Sequence, residues 1–325
     1  MNLHILSGIT PSGPLTLGNY LGALRRFAST RAEQRSTFFV ADLHALTAPH
    51  RPARLRGLTA ETARLFLASG IDPDRSTVFV QSEVPQHVQL AYLLECTAYV
   101  GELGRMIQFK EKGGLPRTRA SLFTYPCLMA AAILLYDTDS VPVGADQSQH
   151  VELARDLAAR VNREYGETFV VPTLAPAATA ARIGDLATPT TKMSKSAPET
   201  AAGVIRMLDP PDLIRRKISR AMTDSEACVR FDPGSKPGVS NLLDILAACT
   251  GGSPAELAPG YGSYGQLKRD TADAVVSTLE PVQRRYAELV ADPGYVRDVF
   301  RDGAARATER AAGVLQRARR AIGLA

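Results

Sequence analysis

Two widely separated segments combine glycines, hydroxyl residues and lysines. The first runs from Ser7 to Tyr20, follows a β-like start at Leu3 to Leu6, and leads into an apolar helical pattern. Small residues let a backbone approach a ligand closely, and a helix that begins after a strand presents free N–H groups to phosphate. The segment matches neither the P-loop pattern nor the Gly-x-Gly-x-x-Gly dinucleotide fingerprint. Alone, it is as compatible with an ordinary structural turn as with nucleotide binding.

The second segment is Lys192-Met193-Ser194-Lys195-Ser196, on a polar stretch after Thr188-Pro189-Thr190-Thr191. Two lysines three residues apart, flanked by hydroxyl groups, can neutralise the charge that develops on a triphosphate. As an isolated pentapeptide it could equally be a solvated basic turn. Its combination with the first segment favours a shared phosphate site.

The first half of the chain has the pattern of βα units, which position such segments at one edge of a parallel sheet. Phe38–Val40 and Val78–Val80 read as strands, and Leu58–Ser69 as a helix closed by Gly70. A second helix is predicted because five apolar or histidine positions share one face: His150, Leu153, Ala154, Leu157 and Val161. It is expected to end near Gly166. From Pro210 onward strands are scarce, and prolines and glycines punctuate a mostly helical remainder.

Composition is that of a folded chain of about two domains, with 325 residues, 45% hydrophobic and 22% charged. The longest apolar run, Leu128 to Tyr136, is too short to span a bilayer, and no export signal follows Met1. We therefore expect a cytoplasmic protein without a membrane partner. Four well-spaced cysteines favour buried thiols over disulfides or a zinc site: Cys96, Cys127, Cys228 and Cys249.

A net charge of +5 favours a polyanionic partner. The basic residues are densest in the C-terminal half, where solvated helix faces and a nucleic-acid surface remain equally open interpretations. The positions are Arg215, Arg216, Lys217, Arg220, Arg306, Arg310, Arg317, Arg319 and Arg320.

Taken together, the two segments resemble the paired signatures of class I aminoacyl-tRNA synthetases. Thr16-Leu17-Gly18-Asn19 is similar to the variant of the first signature in tryptophanyl members, and residues 192 to 196 match the second letter for letter. Similarity to the bacterial tryptophanyl group extends over nearly the whole chain. It includes Gln81–Pro85, Gly101–Leu103, Gln108–Lys112, Tyr125–Ala131, Val141–Gly144, Thr223–Ser225 and Lys236–Leu243.

The resemblance implies an α/β fold, with a Rossmann-type parallel-sheet catalytic domain over residues 1–189 and a connective excursion near 105–122. It further implies a helical domain at 190–290 that reads the tRNA anticodon, and a C-terminal helix at 291–325 that returns to the catalytic domain. The implied enzyme is a homodimer that activates tryptophan, or a tryptophan analogue, with ATP and Mg²⁺ and then charges tRNA(Trp). No DNA partner is implied.

The resemblance also carries residue roles. The catalytic positions are Thr16, Asn19, Lys112, Lys192 and Lys195. The ATP contacts are Thr10, Ser12, Gly18, Asn19, Gln108, Lys110, Gly144, Asp146, Ile183, Lys192, Met193, Ser194 and Lys195. The amino acid pocket comprises Leu6, Gly8, His44, Tyr125, Met129, Ala132, Val143 and Gln147, and no protein-bound metal is expected.

The amino acid pocket is where the chain departs from the group it resembles. Similar enzymes have an aspartate that accepts the indole N–H where this chain has Ala132. They have a glutamine at Thr10, an aromatic residue at Leu6 and a glutamate at Ala145. An unpaired indole N–H costs about 1–3 kcal/mol, so discrimination should weaken. Asp137, five residues along the helix from Ala132, points away from that face and is not an obvious replacement.

Three functions therefore stay open: a tryptophan enzyme, a specialised paralogue that uses a substituted tryptophan or resists an inhibitor resembling it, and a non-catalytic tRNA-binding homologue. Retention of the phosphate-contacting residues argues against the last. His44 and His150 each have an acidic neighbour, but adenylation needs no general base because the attacking carboxylate is already ionised. We assign His150 to helix packing and His44 to the lining of the amino acid pocket.

Overall fold

A parallel sheet forms the first half of the molecule. The computed structural model describes residues 4–29, 35–114, 116–138, 140–142, 148–175 and 183–324. Strands β1 (His4–Ile9), β2 (Arg35–Val40) and β3 (Ser76–Val80) are parallel in the order β1-β2-β3, and β4 (Ser140–Pro142) pairs in parallel with β5 (Thr173–Ala175). Because β4 lies against β1, the strands run 3-2-1-4-5, as in a doubly wound Rossmann-type fold. This confirms the predicted fold class.

Helices connect the strands and make up most of the regular structure in the rest of the described chain. In the first half they are α1 (Leu17–Asn19), α2 (Arg25–Ala28), α3 (Asp42–Ala45), α4 (Pro52–Ala68), α5 (Gln86–Glu95), α6 (Val100–Gly104), α7 (Ile107–Lys112), α8 (Ala120–Leu134) and α9 (Ser148–Tyr165). In the second half they are α10 (Pro211–Ser219), α11 (Pro237–Thr250), α12 (Pro254–Leu257), α13 (Tyr264–Ala291) and α14 (Pro293–Ala321). A π-helical turn joins α1 to α2, and single 3₁₀ turns follow β3 and α12.

The structure confirms both predicted long helices, but α4 begins at Pro52 and not at Leu58, because a proline at the first position starts the helix earlier. The five positions predicted to share one face of α9 are all buried, and Gly70 and Gly166 follow α4 and α9 with φ of 92° and 89°. Glycine is favoured in this left-handed conformation because it has no Cβ to clash. The first strand is longer than predicted, because Ser7, Gly8 and Ile9 continue the ladder with β2 instead of starting a loop.

The last helix lies against the sheet. A Cβ on Gly303 of α14 would stand 1.8 Å from the Val78 carbonyl oxygen of β3, so only glycine permits this approach. Arg306 donates to the Pro73 carbonyl and Arg317 to the Thr168 carbonyl. These two arginines of the basic C-terminal set therefore serve intramolecular contacts.

The other basic cluster is also partly structural. Lys217 is buried and donates to Asp209 over 2.6 Å, while Arg215 pairs with Asp273. Two cysteine expectations were wrong, since Cys96 and Cys228 are exposed and only Cys127 is fully buried. They lie at a helix end and in an irregular segment, where local sequence does not reveal exposure. Within the described ranges, no helix is both long and apolar enough to cross a membrane.

Candidate nucleotide and amino acid site

The first signature is held by its own side chains. Thr16 is the fully buried N-cap of α1, and the Asn19 side-chain oxygen accepts from both the Thr16 N–H at 3.0 Å and the Thr16 hydroxyl at 3.1 Å. The Asn19 N–H in turn donates to the Thr16 hydroxyl oxygen. This reciprocal capping fixes the turn at the carboxyl end of β1, where doubly wound folds bind ligands.

The same segment pairs with chain that lies beyond the second signature. Leu17 donates its N–H to the Ile205 carbonyl, and Met207 donates to the Leu15 carbonyl, both over 2.9 Å. The residues on either side of Thr16 are thus bonded to the stretch that leaves the lysine-bearing segment. The two signatures are therefore tied together through backbone hydrogen bonds.

The second signature emerges from a tight hairpin. Gly184 forms an antiparallel bridge with Lys192, and Met193 donates to the Ile183 carbonyl over 3.0 Å. Asp185 closes the turn by accepting from the N–H groups of Ala187 and Thr188. The hairpin places the side chains of Lys192 and Lys195 after a rigid stem.

Glycines let the two signatures touch. A Cβ on Gly13 would stand only 2.0 Å from the Lys195 carbonyl oxygen, and one on Gly18 would lie 3.6 Å from Cβ of Ile183 and 3.8 Å from Cβ of Met193. The Lys195 ammonium donates to the Thr10 carbonyl over 2.6 Å. The structure thus brings Thr10, Gly18, Ile183, Met193 and Lys195 into one small region.

The charge state of Lys195 is set by this packing. Burial, reinforced by the nearby ammonium of Lys192, lowers the pKa of Lys195 to about 8. An ammonium with so low a pKa is poorly solvated and gains strongly from an anionic partner. Ser194 accepts from the Ser196 N–H, and Ser12 donates its own N–H to the Thr10 carbonyl, so each serine stabilises the turn of its own segment.

Helix α7 stands apart from this contact. Lys112 donates to Gln108 within the helix over 2.7 Å, and the helix is fastened to α9 by the Ile107 N–H donating to Gln149. Over the part of the chain that is described, no hydrogen bond or ion pair joins Gln108, Lys110 or Lys112 to either signature. Their predicted phosphate contacts stay a prediction.

The part of the site that is predicted to bind the amino acid, here called the amino acid half, is lined by tyrosine and histidine rings. The Tyr125 hydroxyl and His150 Nε2 are 2.6 Å apart, and the His44 ring stands edge-on to Tyr125 with centroids 6.3 Å apart. Burial raises the pKa of Tyr125 to about 12, so the phenol stays neutral. The assignment of His150 to packing alone was therefore incomplete, because it also orients Tyr125.

His44 is oriented from behind by a glutamine. Its Nδ1 lies 2.9 Å from the Gln81 side-chain oxygen, and burial lowers the pKa of His44. Since an amide oxygen only accepts, Nδ1 carries the proton, and the buried Nε2 is left as an acceptor without a partner in the described structure. The imidazole is thus neutral and offers one lone pair.

The residues that would select the side chain lie on α8 and β1. Tyr125, Met129 and Ala132 follow one face of α8 at helical spacing. Ala132 and Leu6 are buried in one apolar cluster, and the Phe39 ring covers Gly8 so closely that a Cβ there would be 2.6 Å from it. The methyl group of Ala132 offers no acceptor.

Asp137 does not replace the missing carboxylate. It follows the end of α8 with a φ of 47°, and its Oδ1 accepts from Arg317 of α14 over 2.5 Å. Val143, Gly144, Ala145, Asp146 and Gln147 lie outside the described residues. Their roles therefore stay predictions.

Sequence reasoning missed three residues that shape the site. Gly13 was seen only as part of a glycine-rich turn, Gln81 only as a family-like string, and Asn241 was given no role. Asn241 contacts the hairpin of the second signature from α11. A buried polar residue within an apolar helical run, as Asn241 is within Val239–Leu243, was the available signal.

Comparisons with known proteins agree with this geometry. Residues 1–280 match the model of the class I tRNA synthetases (W and Y). The chain is 55% identical to tryptophan–tRNA ligase 1 of Streptomyces coelicolor, over 99% of this chain and 97% of that protein. It is 47% identical to the tryptophan–tRNA ligase of Oceanobacillus iheyensis, over 98% of each chain.

Solved structures give the same result. The tryptophanyl-tRNA synthetase of Mycoplasma pneumoniae superposes with a TM-score of 0.91 at 35% identity, over 100% of this chain and 99% of that one. The Campylobacter jejuni enzyme, complexed with ADP and tryptophan, gives a TM-score of 0.83 at 32% identity, over 99% and 100%. The fold and the paired signatures define a class I aminoacyl-tRNA synthetase. The chain belongs to the tryptophan–tRNA ligase family.

Proposed function

We propose that this enzyme activates tryptophan with ATP to form tryptophanyl-adenylate and then transfers the tryptophanyl group to tRNA(Trp). The observation that carries the proposal is the contact between the signatures, in which Lys195 donates to the Thr10 carbonyl beside Gly13. The contact puts the lysine-bearing segment directly over the glycine-rich turn. Family membership supports the choice of substrates.

The first step is an attack by the amino acid carboxylate on the α-phosphorus of ATP, with pyrophosphate leaving. The carboxylate is ionised at neutral pH and needs no base. The neutral His44 and Tyr125, whose pKa values are displaced by burial, orient the amino acid without taking its proton. Catalysis then consists of positioning and of charge stabilisation, as in phosphoryl transfer generally.

Lys195 and Lys192 are the groups that meet the developing negative charge. Lys195 is engaged with a neutral carbonyl, which a phosphate oxygen can replace with a stronger, charge-assisted bond. Mg²⁺ arrives as part of the nucleotide substrate, because its usual ligands are phosphate oxygens and waters with one or two carboxylates at most. Thr16 and Asn19 hold the turn that receives the phosphates.

A second candidate function has an observation of its own. Ala132 is buried, and its methyl group stands where related enzymes are expected to carry an acceptor. A pocket without that acceptor has room for an indole that carries a substituent. The specialised enzyme for a substituted tryptophan, or one that resists an inhibitor resembling tryptophan, is therefore the alternative.

Amino-acid-dependent pyrophosphate exchange with the full chain tests both the proposed tryptophan activity and the alternative activity on a substituted tryptophan. Tryptophan, tyrosine and indole-substituted tryptophans are compared by kcat/KM, and charging is followed with tRNA(Trp). We expect tryptophan to give the highest kcat/KM. A higher value for a substituted indole would replace the proposal with the alternative, and absence of exchange with every amino acid would leave the non-catalytic tRNA-binding homologue.

We also propose that the enzyme is a homodimer. Four large side chains, each at least 53% exposed, lie on α5 and at the start of α6: Val88, Tyr92, Tyr99 and Val100. Large exposed apolar side chains that cluster on a surface mark interfaces. Sedimentation should give a dimer for the wild type and a monomer for Tyr92→Glu, whereas a monomeric wild type would refute the proposal.

The remaining proposals concern tRNA and location. We propose that the helices of residues 190–290 read the anticodon, that residues 291–325 fasten the end of the chain to the catalytic domain, and that the enzyme acts in the cytoplasm. The contact of Gly303 with β3 supports the second point. Charging of anticodon-mutated tRNA(Trp) tests the first, since unchanged kcat/KM would exclude it.

A further inference from the structure

We propose that Asn241 of α11 is a positioning residue that sets the register of the catalytic lysines from the helical half of the molecule. Its side-chain oxygen accepts from the Gly184 N–H over 2.8 Å, and its side-chain nitrogen donates to the Gly184 carbonyl over 3.1 Å. Both bonds are buried. Asn241 thus pairs with one residue of the hairpin as a neighbouring strand would.

Gly184, which Asn241 binds, is also paired with Lys192, the first of the two proposed catalytic lysines. Gly184 bridges Lys192, and the adjacent Ile183 carbonyl accepts from the Met193 N–H. A shift of Gly184 therefore moves the start of the second signature. Gly18 of the phosphate turn meets the neighbouring side chains of Ile183 and Met193, whereas Asn241 binds the backbone of Gly184.

The fit between the two residues is close. A Cβ on Gly184 would stand 2.5 Å from the Pro189 carbonyl oxygen and 3.1 Å from the Asn241 side-chain oxygen. Glycine at position 184 therefore lets both the Pro189 carbonyl and the Asn241 side chain approach its backbone closely. Little freedom is left for Gly184 to adopt another position.

Helix α11 is a rigid base for this contact. Val239, Leu242 and Leu243 are buried around Asn241, and the helix packs on α13. The Ser240 hydroxyl accepts from the Asp232 N–H, and Gly238 lies so close to the Met222 carbonyl that a Cβ would be 2.2 Å from it. A displacement of α11 would therefore also displace Gly184, because Asn241 binds its backbone.

Only an amide can make both bonds at this position. An aspartate keeps the acceptor for the Gly184 N–H but places a second oxygen against the Gly184 carbonyl. An alanine removes both bonds and leaves the buried N–H and carbonyl of Gly184 without these partners. Displacement of a catalytic group by about 1 Å can lower a rate by about 10²-fold.

The inference rests on the proposed role of Lys192 and Lys195 in adenylation. The experiment compares wild type, Asn241→Asp, Asn241→Ala and Lys195→Ala in tryptophan-dependent pyrophosphate exchange, well below each variant's melting temperature. Tryptophan binding is followed separately by the ligand's own fluorescence, because the chain contains no tryptophan. We expect Asn241→Asp to lower kcat by about 10-fold or more, with tryptophan affinity unchanged.

Asn162 supplies a matched control. It is a second amide that clamps backbone, accepting from the Thr168 and Phe169 N–H groups and donating to the Phe169 carbonyl, near the end of α9. Asn162→Asp should lower the melting temperature and leave kcat and KM close to wild type. Stability loss alone is thereby separated from misplacement of the lysines.

Three outcomes separate the possibilities. If Asn241→Asp melts at a lower temperature but retains wild-type kcat, as expected for Asn162→Asp, Asn241 is only structural and the inference is overturned. If Lys195→Ala is also fully active, the proposed role of the lysines fails first. A loss of kcat in both Asn241 variants, against an active Asn162 control, supports the inference.

Discussion

The two parts of the site, the phosphate half formed by the two signatures and the amino acid half around Tyr125 and His44, depend on different kinds of contact. The phosphate half consists mainly of backbone, with Gly13 and Gly184 each permitting a close approach and the lysines added to a hydrogen-bonded hairpin. The amino acid half consists of side chains, with Tyr125 and His44 oriented by other side chains. Two of the positions at which the resemblance predicts a departure, Leu6 and Ala132, are buried together in the amino acid half.

This difference has a physical reason. Every ATP presents the same phosphates, so a backbone scaffold that fits them tolerates little change, and a single Cβ is enough to disrupt it. Recognition of the indole depends on one acceptor, and its replacement by the methyl group of Ala132 leaves the fold intact. We therefore expect changes to the phosphate half to affect the rate, and changes to the amino acid half to affect selectivity.

The largest effect should come from Lys195→Ala. In the proposed role the lysine meets charge that develops on the leaving pyrophosphate, and loss of one such electrostatic contact typically costs about 10²–10³-fold in kcat. ATP affinity should also fall, but by less than kcat, because the contact strengthens in the transition state. Steady-state pyrophosphate exchange and equilibrium ATP binding measure the two. An equal loss in both would show that Lys195 binds ATP without favouring the transition state.

Gly13→Ala should have the next largest effect. The new Cβ would begin 2.0 Å from the Lys195 carbonyl oxygen, against an ordinary contact of about 3.5 Å, so the second signature must move by more than about 1 Å. We expect kcat for adenylation to fall by about 10²-fold. Tryptophan affinity, measured through the ligand's fluorescence, should remain as in wild type.

Gly22→Ala is the control for this substitution. Gly22 lies in the π-helical turn after the same signature, and a Cβ there would meet nothing within 4 Å. Its kcat should match that of the wild type. If the Gly13 and Gly22 variants behave alike, the approach of Lys195 to Gly13 is not needed for the reaction.

The sequence predicted the phosphate half better than the amino acid half. The α/β class, the buried face of α9 and the helix ends at Gly70 and Gly166 follow from periodicity and turn chemistry, which are local properties. The contact of Lys195 with Thr10 joins residues far apart in the chain, and it was indicated by the similar chemistry of the two segments together with the resemblance to a family. Family resemblance, however, did not indicate that Gly13 makes the contact possible.

The site features that could not be predicted from the sequence depend on contacts between residues that are far apart in the chain. Gln81 becomes informative only once it faces His44, and His150 only once it meets Tyr125. The exposure of Cys96 and Cys228 was mispredicted for the same reason, since burial depends on which element packs above a residue. Asn241 stood out as a polar residue in an apolar helix, but its partner Gly184 could not be deduced.

A smaller effect, on selectivity, is expected from Ala132→Asp. A restored acceptor should raise the preference for tryptophan over an analogue that lacks the ring N–H, such as its N-methyl or sulfur-ring counterpart, by about 10-fold. Competitive pyrophosphate exchange gives the ratio of kcat/KM values. Ala132→Asn should act in the same direction, whereas Ala132→Val, which adds bulk but no acceptor, should not. An unchanged ratio in all three would mean that the indole nitrogen faces another residue.

The smallest effect at neutral pH is the titration of Lys195, which becomes visible only as the pH rises above about 8. Because burial and Lys192 lower its pKa to about 8, the ammonium that attracts phosphate is present below that pH and is lost as pH rises through it. We expect kcat/KM for ATP to fall about 10-fold per pH unit above about 8, while kcat stays flatter because bound triphosphate stabilises the charged form. Lys195→Arg stays charged throughout and should remove the fall. A fall of the same size in Lys195→Arg would assign the titration to another group, because the guanidinium has no proton to lose in that range.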